Sequence, residues 1–124
     1  MKRLRIRAAR VEVEVALEDT PTAAALVAAA PFASVARTWG EELYFEAPVV
    51  VDREPEARQC VAPGTACFWV EGSAVALPWG RTPLSGPDGR PRLAAACNVI
   101  GRVLGEPRRL AAVKAGERLA VSVD

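Results

Sequence analysis

The chain contains no histidine. That absence removes the commonest general base, any Ser–His or Cys–His nucleophile pair, and the ligand on which most zinc sites depend. Cysteine is scarce and odd in number, and Cys60, Cys67 and Cys97 stand without CxxC spacing. Neither a disulfide framework nor a metal site is implied, no cofactor is expected, and the three thiols read as reduced residues that pack. Lysine occurs only at Lys2 and Lys114, and the formal net charge is +1, so no electrostatic footprint for nucleic acid is expected. No apolar run approaches the roughly 20 residues of a membrane-spanning helix, and the basic start MKRLRIRAAR lacks the apolar core of a signal peptide. The expectation is a cytoplasmic protein with neither a membrane nor a nucleic-acid partner.

What is present is the composition of one globular domain spanning residues 1–124, with 51% hydrophobic and 25% charged residues. Arg3, Arg5 and Arg7 alternate with Leu4, Ile6 and Ala8, and Val11, Val13 and Val15 alternate with Glu12 and Glu14. Joined by a short loop at Ala9-Arg10, these two half-buried strands set Arg7 against Glu12 and Arg5 against Glu14 outside, with Ile6 against Val13 inside. The basic stripe is then a neutralised surface rather than an anion-binding arm. Thr20-Pro21 starts a helix near residues 21–30, which Pro31 ends, with Ala23, Leu26, Val27 and Ala30 on one apolar face. Strands are expected near 34–39, 42–51, 57–62, 98–104 and 118–123, with Leu119, Val121 and Val123 inward, and a second helix near 107–115. Residues 84–92, LSGPDGRPR, form the expected long loop.

The stretch FWVEGSAVALPWGRTP, residues 68–83, doubles back at Glu71-Gly72-Ser73 and carries Trp69 and Trp79 on its two arms. Core packing explains tryptophans in a barrel, but aromatic walls with sparse polar groups also describe a small-ligand pocket. Tyr44 and Phe45 point to opposite faces of their strand, so one can line such a pocket. Asn98, able to donate and accept, is the favoured polar member, and Thr82, which can also bond the local backbone, lies at the loop's start. Glu41 and Glu42 are adjacent and face opposite ways, so they do not form a paired-carboxylate site. Gly80 and Gly101 lack any phosphate-loop context and read as turns or close backbone approaches.

Three segments in order, WGEELYF at 39–45, the 68–83 stretch, and NVIGRV at 98–103, resemble the small cyclophilin-like proteins of bacteria and archaea, as does DTPTA at 19–23. The resemblance covers nearly the whole chain and departs from the family pattern at Val70 and Glu71, where two prolines are common. It implies a mainly β fold, a closed cyclophilin-like barrel of about eight strands with two short helices. Compared with the prolyl isomerases of that fold, Val35-Ala36-Arg37 keeps the motif arginine, Glu42-Leu43-Tyr44-Phe45 loses the glutamine, and Gly72-Ser73-Ala74-Val75-Ala76 loses aromatic surface. Asn98 lies near the position of a missing histidine. An isomerase must lower a barrier of about 18–20 kcal/mol by donating towards the prolyl nitrogen over a dry pocket. Only Arg37 survives for that role. The expected function is a small-ligand or peptide-binding module with a cleft lined by Arg37, Tyr44, Trp69, Trp79, Thr82 and Asn98; a weak prolyl isomerase and a protein-interaction domain are the alternatives. Because a guanidinium stays charged, Arg37 is expected to pair with a carboxylate or face a cleft.

Overall fold

The computed structural model describes residues 2–124. Alternation sets the first hairpin: β1 (Arg3–Arg7) and β2 (Glu12–Leu17) pair antiparallel with Arg7 opposite Glu12, Arg5 opposite Glu14 and Ile6 opposite Val13. Leu4, Ile6, Val13 and Val15 are buried. Outside, Arg5 meets Glu12 at 3.2 Å and Asp124 at 2.7 Å, and Arg7 meets Glu12 at 3.0 Å. Exposed pairs of this kind contribute about 1 kcal/mol at most, but they occupy the arginines with carboxylates, as the alternation implied.

Helix α1 (Pro21–Ala29) begins where Thr20 Oγ1 accepts a hydrogen bond from the Ala23 N–H at 3.1 Å, with proline in the first turn. It buries Thr22, Ala23 and Leu26. The remaining elements are β3 (Phe32–Val35), β4 (Arg37–Thr38), β5 (Glu42–Glu46), β6 (Arg58–Cys60), β7 (Thr65–Trp69), β8 (Ala74–Pro78), β9 (Arg92–Val103), a 3-10 helix (Pro107–Ala112) and β10 (Arg118–Val123). Around the sheet the strands run β3-β10-β1-β2-β9-β7-β8-β5-β4, with β6 added on β9.

The expected closed barrel of about eight strands is corrected on two counts: there are ten strands, and among the described residues no ladder joins β3 to β5. The reason lies in the segment Phe32–Thr38, which changes partner midway. Its first half follows β10 and its second half follows β5. Between them Ala36 donates to the Glu117 carbonyl and accepts from Gly116 N–H, both at 2.8 Å. The seam is thus spanned by the continuous chain and by Ser34 Oγ, which donates to the Glu46 carbonyl at 2.7 Å.

Other boundaries shift for local reasons. The strand expected over 42–51 stops at Glu46, because Pro48 brings no N–H to a ladder and Val49 bonds back to Ala47 at 2.8 Å. Residues 47–57 instead form a strap, with Val49 buried and Val50 91% exposed. Strand β9 begins at Arg92, so Asn98 lies in its middle rather than at its start. The second helix is a 3-10 turn that stops at Ala112. No described helix is long and apolar enough to cross a membrane.

The inner core unites Leu4, Val15, Leu26, Phe45, Phe68, Ile100 and Leu119. Within it β2 and β9 approach so closely at Gly101 that a Cβ there would lie 1.9 Å from the Ala16 carbonyl oxygen. A register shift between Ala66 and Cys67 marks the accompanying bulge in β9. Gly101→Ala is expected to lower stability by about 3 kcal/mol through backbone displacement. The reading is a lower urea midpoint at unchanged slope; a midpoint matching the wild type would mean that the two strands part freely.

Candidate functional site

Strands β5, β8 and β7 lie side by side, with Tyr44 level with Ala76 and Ala76 level with Cys67. The pleat sends alternate side chains to opposite faces. Leu43, Phe45, Phe68, Val75 and Leu77 enter the inner core, while Tyr44, Cys67, Trp69 and Ala76 form a second cluster on the outer face with Val61, Leu93 and Cys97. That second cluster exists because β9 extends beyond the main sheet: its first half pairs with β6 and lays Leu93 and Cys97 over the outer face.

Between this cover and three aromatic side chains lies a cavity of about 170 Å³, lined by Trp39, Glu42, Tyr44 and Trp69 together with Ala76, Leu93, Ala94 and Cys97. Tyr44 and Trp69 meet edge to face, with ring centroids 6.4 Å apart and planes at 85°. The indole of Trp69 lies against Gly72, where a Cβ would come within 2.3 Å of the ring, so the hairpin glycine holds that wall in place. Trp39 and Glu42 flank the β4–β5 turn, where Trp39 N–H donates to the Glu42 carbonyl at 3.0 Å and Gly40 takes φ +60°.

Of the six residues singled out from the sequence, Tyr44 and Trp69 line the cavity. Arg37 is exposed on β4 opposite Tyr44; it lines an open groove that shares Tyr44 and Trp69 with the cavity but does not line the cavity itself. Trp79 follows β8 at the end away from the hairpin, where its N–H donates to the Glu41 carbonyl at 2.8 Å, and packs on the inner core. Thr82 is buried, donating to the Arg92 carbonyl at 2.6 Å; it pins the loop. Asn98 is fully buried and fully occupied: Oδ1 accepts from Glu54 N–H at 2.8 Å, and Nδ2 donates to Thr22 Oγ1 and the Asp52 carbonyl, both at 2.9 Å. Its amide fastens the strap to β9 and α1 and has no donor left for a ligand.

Sequence reading passed over Glu42 as a site residue. It is 6% exposed, its Oε1 is enclosed without a hydrogen bond, and among the described residues it forms no ion pair. Burial pushes its carboxyl up from 4.5 to about 7. Burial likewise pushes the Cys97 thiol up to about 12 and the Cys67 thiol upward, so both stay protonated at neutral pH. Glu42 is therefore the ionisable group of the cavity at neutral pH. Among the described residues no three His, Cys, Asp or Glu side chains are grouped to share a metal ion.

A folded-state value above the unfolded one means that the folded protein binds the Glu42 proton more tightly. The neutral carboxyl is tolerated below pH 4.5, and stability is lost as pH rises from 4.5 through about 7. Relative to Glu42→Gln, the wild type should lose about 3 kcal/mol across that window and stay level above it. Urea unfolding of both proteins from acid to neutral pH measures this difference, since all other carboxylates cancel. Parallel profiles would show that the carboxyl is solvated.

The fold has a solved counterpart in the hypothetical protein AF2241 from Archaeoglobus fulgidus, whose solution structure superposes with a TM-score of 0.81 at 38% identity, covering 97% of this chain and 92% of that one. No curated protein matches the chain. The family model for cyclophilin-like proteins matches residues 2–122, and on that match and this likeness the chain belongs to the cyclophilin-like family.

Proposed function

We propose that the protein is a binding module that takes one small group, from a small molecule or a peptide residue, into the cavity walled by Trp39, Tyr44 and Trp69. The observation that carries this reading is an aromatic-walled outer-face cavity with an unpartnered buried carboxyl in its lining. Ordinary packing gives no reason to keep either feature. An empty apolar cavity forfeits dispersion contacts, and an unpaired buried carboxyl costs free energy.

Size narrows the occupant. At about 170 Å³ the cavity is below the roughly 300–1,000 Å³ of pockets for drug-sized ligands and close to the ~150 Å³ that holds a benzene ring. A ring, a short side chain or a compact head group fits. The isomerase alternative is less well supported, because a proline ring seated in the cavity would lack the Arg37 guanidinium in its lining.

A screen of ring-sized fragments by protein-observed NMR should shift amides of Tyr44, Trp69 and Cys97 first. Ala94 lines the cavity from an exposed position, so Ala94→Phe should block it without disturbing the core and weaken binding at least about tenfold. Shifts centred elsewhere, or unchanged affinity in Ala94→Phe, would move the site off this cavity. In a protease-coupled assay on an X-Pro peptide the folded protein is expected to leave the isomerisation rate unchanged; acceleration abolished by Arg37→Ala would favour the enzyme instead.

A further inference from the structure

The lining of the cavity specifies charge as well as size. Trp39, Tyr44 and Trp69 present aromatic rings, two of them at right angles, and the face of an aromatic ring carries negative electrostatic potential. The remaining lining is apolar apart from Glu42 and the Cys97 thiol. No lysine or arginine belongs to it. The charged and titratable groups near this lining are the thiols of Cys67 on β7 and Cys97 on β9, both protonated, the exposed Arg58 on β6, which bears on Cys67, and the exposed Arg53 and Glu71, which bear on Cys97 and are paired with each other; neither arginine lines the cavity.

We propose that the group taken into this cavity is an organic ammonium, a methylated or quaternary amine head held among Trp39, Tyr44 and Trp69 with Glu42 as its counter-charge. The inference rests on the binding-module reading and adds the ligand's charge to it. A cation over aromatic faces is attracted by the ring quadrupoles, most strongly where water is excluded. It also supplies what Glu42 lacks in the protein, an opposite charge in a low-dielectric setting. An anionic ligand would sit beside the carboxyl and against the ring faces. A neutral one would deepen the burial of Glu42 without compensating it. Because Oε1 is enclosed and takes no hydrogen bond, the attraction runs through charge and needs no N–H, which admits fully methylated nitrogen. The cavity of about 170 Å³ suits such a compact head and excludes a long acyl or polycyclic body.

Binding of a cation favours ionised Glu42, so ammonium affinity should rise with pH through the carboxyl's titration near 7. The test is calorimetric titration of the full chain with choline and with its uncharged isostere 3,3-dimethylbutan-1-ol, at about pH 8.5 and about pH 6, for wild type and Glu42→Gln. At the higher pH choline should bind the wild type at least about tenfold tighter than the isostere. That preference should shrink at the lower pH and in Glu42→Gln, where only the aromatic rings are left to favour the cation and where the isostere should still bind. Tyr44→Leu, a second variant that keeps the carboxyl, should weaken choline more than the isostere. A glycine-flanked trimethyllysine peptide separates the two sources of the head group: tighter binding than choline assigns a peptide, equal or weaker binding assigns a free amine. Equal or tighter binding of the isostere in the wild type at the higher pH overturns the ammonium inference and leaves the binding module standing. Failure of choline and peptide while ring fragments bind does the same. Failure of every probe, fragments included, overturns both.

Discussion

The register of β5, β8 and β7 is the constraint on which both faces of this protein depend. In a pleated strand a slip of one residue exchanges the faces. Here such a slip would carry Phe45, Phe68, Val75 and Leu77 outward and bring Glu42, Tyr44 and Trp69 into the barrel's interior. The two inner phenylalanines alone represent several kcal/mol of burial, on the order of 2–3 kcal/mol each, and an acidic side chain in their place would add to the loss. The core therefore fixes the orientation of the aromatic walls without any contact dedicated to them. Gly72 beneath Trp69 and the positive φ of Ser73 and Gly40 fit the two turns to that register.

A second layer turns the outer face into a cavity. Twelve residues long, β9 serves two sheets, pairing with β2 and β7 through its second half and with β6 through its first. Asn98 stands where one role passes to the other, level with Phe68 of β7 and next to Cys97, which is level with Arg58 of β6. Its side chain binds the strap through Glu54 N–H and the Asp52 carbonyl. Glu54 in turn accepts from the Thr22 N–H at 3.1 Å in the first turn of α1, where a carboxylate is favoured by the unpaired N–H groups. Arg53 adds a bond to the Ala96 carbonyl at 3.1 Å and an ion pair to Glu71 at the β7–β8 turn. Cover, strap and hairpin are thus tied together by polar contacts at the surface of the second cluster.

Much of this was legible in the sequence where one physical rule dominated. Strict alternation gave the β1–β2 pairing residue by residue, and Thr20-Pro21 gave the start of α1. The run APVVV at 47–51, the second half of the strand expected over 42–51, misled because β-propensity describes fitness for a half-buried pleat and says nothing about whether a neighbouring strand is available. Trp79 was legible in principle. The hairpin sets Trp69 level with Ala74, so Trp79, five residues beyond Ala74, differs from it in parity and must face the inner side. The same parity puts Glu42 with Tyr44, two residues apart on one face. What no pattern could supply was the cover: that β9 starts six residues early and encloses Glu42 depends on a long-range pairing with a three-residue strand.

The treatment of buried polar groups separates structure from site in this fold. Thr22, Thr82 and Asn98 are as deeply buried as any core residue, and each makes hydrogen bonds with protein partners. Two enclosed polar atoms among the described residues have no such partner, Arg5 Nε and Glu42 Oε1. Arg5 is compensated in charge, since its guanidinium lies 2.7 Å from Asp124 and 3.2 Å from Glu12. Glu42 has no counterpart of that kind. A glutamine or an apolar residue would relieve the desolvation cost at neutral pH, so nothing in the stability of the barrel calls for a carboxyl at this position. Among the described residues this uncompensated carboxyl lines an aromatic-walled cavity of the outer face, where a compensating charge can still arrive from outside.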